Sequence, residues 1–179
     1  DRMDFEFAAL DPVSGRVWFL PTRRVALQVS AGHLNEAEPG EAGGPRADVD
    51  RVTASVTYHR PFRNDSMWAT TLAWGRNEEH DHASNAVLIE TNVTFSQRDA
   101  WYGRFELVGK SAHDLVVPES LGENFTVAKL QGGYTRYLPA WNGFQPGLGA
   151  GLSLGIVPEL LKPAYGSRAN TGVAVYVTL

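Results

Sequence analysis

Apolar residues recur at every second position along most of the chain, which is the spacing of a β-strand with one apolar and one polar face. Ten segments show this pattern. Their apolar members are Phe5, Phe7 and Ala9; Val17 and Phe19; Val25, Leu27, Val29 and Ala31; Val52, Ala54, Val56 and Tyr58; Trp68, Leu72 and Trp74; Val87, Ile89, Val93 and Phe95; Phe105 and Leu107; Ala128, Leu130 and Tyr134; Leu148, Ala150, Leu152, Leu154 and Ile156; and Val173, Val175, Val177 and Leu179. The pattern predicts an all-β protein of about ten strands, several of them near the ~9–11 residues that a tilted strand needs to cross a bilayer.

The segments that join these strands alternate in length. Read from the C-terminus, the long ones are 157–168, 111–124, 77–84 and 33–48, and the short ones are Pro139 to Phe144, Gln97 to Asp99, Arg63 to Asp65 and Pro21 to Arg23. Outer-membrane barrels have short periplasmic turns and longer outer loops, whereas a soluble sandwich has no reason to keep such an alternation. The alternation therefore predicts an antiparallel up-and-down transmembrane β-barrel with both chain ends on the periplasmic side.

Strand register is predicted from two short turns. A three-residue turn at Arg63 to Asp65 pairs Phe62 with Ser66, Arg60 with Trp68, Tyr58 with Thr70, Val56 with Leu72 and Ala54 with Trp74. A similar turn at Gln97 to Asp99 pairs Phe95 with Trp101, Val93 with Gly103, Thr91 with Phe105 and Ile89 with Leu107, and places Asn92 against Arg104 and Glu90 against Glu106. In both hairpins one side is apolar and the other polar, as a register set by a buried or lipid-facing side requires.

Composition excludes several classes of protein. The net charge of −4 is spread along the chain with no basic stripe, which argues against a nucleic-acid partner. Cysteine is absent, so disulfides and thiolate metal sites are excluded. There is no run of 18 apolar residues that could form a membrane-spanning helix. No signal peptide precedes the first strand-like segment, so we expect a mature form or a fragment. The mean hydropathy of −0.24 suits a barrel, in which only every second strand residue faces lipid.

Aromatic residues concentrate near the short turns. They are Phe19, Phe62, Trp68, Phe95, Trp101, Tyr137, Trp141 and Phe144. Amphipathic rings prefer the boundary between lipid and water, so these positions predict a periplasmic aromatic girdle. The simpler alternative is that aromatic residues favour strands in general.

Three stretches carry a family resemblance. Ser66 to Asn77, Ala128 to Tyr134 and the final segment Val173 to Leu179 resemble the C-terminal strands of uncharacterised porin-like barrels from the Gram-negative outer membrane. The resemblance implies that residues 1–179 form one β-barrel domain or its C-terminal part, located in the bacterial outer membrane. It brings no catalytic residues. Such proteins often end in an aromatic residue, whereas this chain ends in Leu179, with Tyr176 on the other face.

Charged residues on the polar side of the strands form the main candidate site. Glu90, Arg104, Glu106 and Lys129 would face the barrel lumen. The two glutamates, predicted to lie opposite each other, would repel unless Arg104 bridged them from a diagonal position. Such a network would fill a narrow barrel, which is packed inside. In a wider barrel the same residues would form a charged constriction.

Other motifs carry weaker candidates. The alternating glycines Gly147, Gly149, Gly151 and Gly155 lack the following helix of a nucleotide-binding loop, so they indicate a strand with a small inward face. His80 and His82, with neighbouring carboxylates, are candidate ligands of a divalent cation in an outer loop. His113 is a candidate catalytic base at the outer rim, with no fixed partner.

These features support three hypotheses of different classes. The first is an outer-membrane barrel of porin-like or structural type, surrounded by lipid, without a cofactor, and open to periplasmic or outer-membrane protein partners. The second is an outer-membrane rim enzyme, a protease or lipid hydrolase. The third is a soluble lipocalin-like barrel that binds a small apolar ligand and turns its apolar face inward. The hypotheses differ in which way the aliphatic side chains point.

Overall fold

A computed structural model describes residues 13–38, 47–63, 65–79, 82–121 and 124–178. These residues form nine β-strands, the 3-10 turns Glu119–Leu121 and Glu159–Leu161, and one short helix, α1 (Lys162–Tyr165). The strands are β1 (Val13–Thr22), β2 (Val25–Glu38), β3 (Ala47–Phe62), β4 (Ser66–Glu79), β5 (His82–Phe95), β6 (Asp99–Ser111), β7 (Asn124–Tyr137), β8 (Gly147–Ile156) and β9 (Ala169–Thr178). No helix in this part of the chain is long and apolar enough to span a membrane.

Each strand pairs with its neighbour in sequence, so the sheet follows the order β1 to β9 in an up-and-down topology. The prediction of an all-β antiparallel protein is therefore confirmed. The nine strands correspond to nine of the ten predicted segments; the tenth, at Phe5, Phe7 and Ala9, lies outside the described residues. Strand β1 begins at Val13, four residues before the predicted apolar position Val17. Within the described ranges the sheet is open, with β1 and β9 at its two edges.

The connections alternate less regularly than predicted. One end of the sheet carries the segments 23–24, 63–65, 96–98 and 138–146, and we call it the short-turn end. The other, the long-connection end, carries 39–46, 80–81, 112–123 and 157–168. The long connections 112–123 and 157–168 agree with the prediction. The predicted loop 77–84 is wrong, because β4 continues to Glu79 and β5 starts at His82. The connection after β7 is longer than predicted, since it contains a small hairpin of its own.

One of the two predicted registers is confirmed. Strand β3 pairs with β4 as expected, with Val56 opposite Leu72. The register of β5 and β6 is shifted by two residues, so that Phe95 pairs with Asp99 and Glu90 with Arg104. The physical reason is the turn, which uses residues 96–98 in place of 97–99. A shift of two leaves every side chain on its predicted face, because the side-chain period of a strand is two.

The two faces of the sheet differ in chemistry and exposure. The apolar face carries the aliphatic and aromatic stripes, and these side chains are exposed: Leu72 is 47% exposed, Ile89 44% and Val175 82%. The polar face carries Thr, Ser, Gly and charged residues, most of which are half-buried. The sheet therefore has no apolar core of its own. A small cluster, Ala112, Phe125, Val157 and Leu161, is buried instead beneath the two long connections that flank β7 and β9.

Tyrosine rings cover the glycines of the polar face. The Tyr102 ring lies over Gly133 and reaches Gly151, and the Tyr176 ring lies over Gly149, where a Cβ would collide with it. Tyr176 also shares a hydrogen bond with the Thr135 hydroxyl at 2.9 Å. Two glycines of the run in β8, Gly149 and Gly151, therefore make room for tyrosine side chains of nearby strands. Aromatic rings over strand glycines pin the register of a curved sheet.

Candidate functional site

An arginine bridges two glutamates at the centre of the polar face. Arg104 Nη1 lies 3.3 Å from Glu90 Oε2, and its Nη2 lies 3.1 Å from Glu106 Oε2. Glu90 is directly opposite Arg104 on β5, and Glu106 follows two residues later on β6. The predicted placement of the two glutamates opposite each other is therefore wrong. The shifted register puts the cation between them, which removes the expected repulsion.

Strand β7 brings the fourth predicted residue to the same place. Lys129 pairs with Glu106, and Gln131 pairs with Arg104. Lys129 is exposed and makes no ion pair within the described ranges. Arg104 Nε is buried and has no hydrogen-bond partner among these residues. The four formal charges cancel, so the cluster is a charge-balanced patch with one unused buried donor.

Polar side chains elsewhere on the same face are also hydrogen-bonded to one another. Hydroxyl pairs join adjacent strands, with Ser30 Oγ to Thr53 Oγ1 at 2.7 Å and Thr57 Oγ1 to Thr71 Oγ1 at 2.9 Å. Side chains of this kind bind water or a polar solute and offer nothing to an apolar ligand. In the part of the chain that the structure describes, no nucleophile contacts a base at this cluster.

A pocket of about 270 Å³ lies on the polar face toward the long-connection end. Its lining includes Arg51, Asn77, Asn85, Lys110 and Asp114. Arg51 Nε donates to Asn77 Oδ1 at 2.8 Å, and Lys110 Nζ lies 3.5 Å from Asp114 Oδ2. The sequence reasoning missed these residues. Asn77 fell in the predicted loop 77–84, and only the register of β3 and β4 makes Arg51 and Asn77 neighbours.

The structure describes two of the three histidine candidates. His82 is the first residue of β5, and His113 lies in the connection after β6, while His80 lies outside the described residues. His113 makes no hydrogen bond to a serine or an acidic side chain in the part of the chain that the structure describes. No group of three or more His, Asp or Glu residues in that part could hold a metal ion.

Charged clusters border the apolar face at both ends. At the short-turn end, Asp99 accepts hydrogen bonds from the Tyr134 hydroxyl and from Arg136 Nη1, each at 2.5 Å. At the long-connection end, His33 Nδ1 lies 2.7 Å from Asp50 Oδ1. These residues were not singled out in the sequence. The sequence signal that could have found them is a charged residue at a position that strand alternation places on the apolar face, as at Asp50 and Arg136.

Replacing Arg104 with glutamine tests the charge cluster. The three side chains are between 32% and 51% exposed, so we expect a loss of at most about 1 kcal/mol in the free energy of unfolding. If the protein conducts ions, the two remaining carboxylates should shift its selectivity toward cations. Urea unfolding in detergent micelles and reversal potentials in planar bilayers measure the two effects. Arg168→Gln, in the connection before β9, should change neither; equal effects from both variants would contradict a special role for Arg104.

Three comparisons with known proteins leave the chain without a relative. No family model, no curated protein and no solved structure matches it significantly.

Proposed function

We propose that this chain is a membrane-spanning β-barrel of the Gram-negative outer membrane, of porin-like or structural type. The observation that carries the proposal is the exposed apolar face. Each of the nine strands exposes large apolar side chains on this face, with Val173 77% and Leu152 67% exposed. A monomeric protein in water rarely exposes an apolar area of this extent. A soluble lipocalin-like barrel would turn this face inward.

Polar groups within the apolar face satisfy one another, as hydrocarbon demands. Trp68 Nε1 donates to Thr91 Oγ1 at 3.0 Å, and Thr70 and Thr91 share a hydroxyl hydrogen bond at 2.8 Å. Thr91 Oγ1 also donates to the Ala69 carbonyl oxygen at 3.3 Å. Each of these polar groups on the apolar face therefore has a partner, as a hydrocarbon environment requires.

The height of the apolar band fits a bilayer. On β3 it is bounded by Asp50 at one end and Arg60 at the other, ten residues apart. At about 3.3 Å per residue the distance along the strand is about 33 Å. A tilt of about 40° reduces this to about 25 Å along the membrane normal, which is the height of the apolar band in outer-membrane barrels.

Closing this sheet into an antiparallel barrel requires one additional strand, or a larger odd number of additional strands. In an up-and-down sheet of nine strands, β1 and β9 run in the same direction. An antiparallel barrel can therefore close only if an additional strand lies between them.

Refolding tests the proposal. We expect the urea-denatured chain to fold only when detergent micelles or lipid vesicles are present. The folded form should then resist protease and migrate differently in gel electrophoresis before and after boiling. Conductance steps in a planar bilayer would assign the porin-like type, and their absence the structural type. A monodisperse, folded protein in buffer without detergent would contradict the proposal.

A further inference from the structure

Six arginines lie at the short-turn end, and we call them the arginine belt. They are Arg23, Arg24, Arg60, Arg63, Arg98 and Arg136, and all six are exposed. Only two acidic residues in the described ranges lie at this end, Asp65 and Asp99, which leaves a formal charge of +4. The whole chain has a net charge of −4, so this end is positively charged although the protein as a whole is negatively charged.

The belt differs from the long-connection end in how its cations are paired. There, Arg76 contacts Glu78 at 3.6 Å, and Arg168 contacts Glu159 at 3.3 Å. Lys110 and Lys162 also have acidic partners. In the belt only Arg136 has one, at Asp99. The other five arginines make no ion pair within the described part of the chain, and their side chains are exposed.

The turns that carry the belt are tied to one another. Ser96 N donates to Ser66 Oγ at 3.0 Å, which joins the turns after β3 and β5. Gln145 Nε2 donates to the Gln97 carbonyl oxygen at 3.2 Å, which joins the connection after β7 to the same turn. The arginines therefore sit on one continuous rim.

Exposed aromatic rings lie beside the belt. Trp141, Asn142, Gly143 and Phe144 form a tight turn, with positive φ angles of 49° and 83° at its two central residues. Backbone hydrogen bonds of 2.8 and 2.9 Å between Trp141 and Phe144 close it. The Trp141 and Phe144 side chains are 73% and 61% exposed. Asn-Gly is the preferred pair for such a turn because both residues tolerate positive φ.

We propose that the arginine belt binds the headgroups of anionic phospholipids in the leaflet at the short-turn end. This inference rests on the proposed function, since it needs the barrel to sit in a bilayer. Charge complementarity supports it: a guanidinium group forms paired hydrogen bonds with phosphate oxygens, and clustered basic residues at a membrane surface attract anionic lipids. Trp and Phe rings next to the cations occupy the same headgroup level. The belt and the rings together match a phospholipid interface.

Vesicle composition tests the inference. The native chain is refolded into vesicles of phosphatidylcholine alone and into vesicles that also contain phosphatidylglycerol. We expect insertion to be about ten-fold faster in the anionic vesicles at low salt, and this advantage to shrink as salt is added, because exposed charges are screened. Protease protection measures the inserted fraction over time.

Two sets of variants assign the effect to the belt. Arg23, Arg24, Arg60, Arg63 and Arg98 are replaced together with glutamine, and the matched control replaces Arg51, Arg76, Lys110, Lys162 and Arg168. Both sets remove five positive charges, but only the first should abolish the preference for phosphatidylglycerol. The smaller variant R63Q/R98Q, with both changes in turns, should lose part of it and serves if the five-fold variant fails to fold in detergent.

The outcomes separate the two proposals. Insertion into neither type of vesicle would defeat the proposed function and the belt with it. Equal insertion into both types would overturn the belt inference alone and point to an acidic protein as the belt's partner. An anionic preference that persists in both belt variants, or that disappears equally in the control, would also overturn it.

Discussion

The substitution Leu72→Arg is expected to prevent most molecules of the protein from inserting into a bilayer. Leu72 lies midway along β4 on the apolar face, and its neighbour Ile89 lies beside it on β5. A charged side chain at the bilayer midplane costs about 2–4 kcal/mol in a transmembrane barrel. We therefore expect Leu72→Arg and Ile89→Arg each to lower the folded fraction in vesicles by ten-fold or more. Protease protection after refolding measures it.

Val52 provides the control because it lies on the same face at a different depth. Its side chain is 40% exposed, similar to the 47% of Leu72, but it pairs with Arg76 next to the charged border of the band. Near the interface the cost of an arginine falls to about 0–1 kcal/mol, so Val52→Arg should insert almost normally. In a water-soluble sheet all three variants would be tolerated equally, and that result would contradict the membrane proposal.

A methyl group at position 149 should destabilise the folded protein by about 1–3 kcal/mol, the usual cost of overpacking. A Cβ on Gly149 would overlap the Tyr176 ring and lie 2.7 Å from its hydroxyl oxygen. The ring cannot easily move away, because its hydroxyl group is hydrogen-bonded to the Thr135 hydroxyl group. The free energy of unfolding of Gly149→Ala in detergent micelles, from urea titration, measures the effect.

Gly75→Ala is the matched control, since Gly75 lies on the same polar face and a Cβ there would make only ordinary contacts, with Thr53 Cγ2 at 3.6 Å and the Val52 carbonyl oxygen at 3.9 Å. We expect it to change stability little. The double variant Gly149→Ala with Tyr176→Ala should cost less than the sum of the single changes, because removal of the ring relieves the collision. Strict additivity would show that the ring does not pack on this glycine.

Much of the fold could be predicted because strand alternation is a local signal. Alternation predicted one strand from Val52 to Tyr58 and another from Val87 to Phe95. The turn at Arg63 to Asp65 predicted the complete register of a hairpin. The second register failed by two residues at the turn after Phe95. Alternation cannot detect such a shift, because both registers keep the same residues on the same face.

The candidate site was predicted in membership but not in geometry. Glu90, Arg104, Glu106 and Lys129 share the polar face because their positions have the right parity. That Arg104 lies opposite Glu90 and bridges to Glu106 depended on the corrected register. Contacts between residues far apart along the chain, such as those of Tyr134 and Arg136 with Asp99, had no local signal in the sequence.

The sequence by itself determined that the chain is built of strands, where most of them lie and which face each side chain takes, because a strand repeats every two residues whatever surrounds it. The tertiary structure alone decided which charges meet, which rings cover which glycines, and that the basic turns form one rim. These features depend on the pairing of separate strands, which is set by turn geometry and by packing across the sheet.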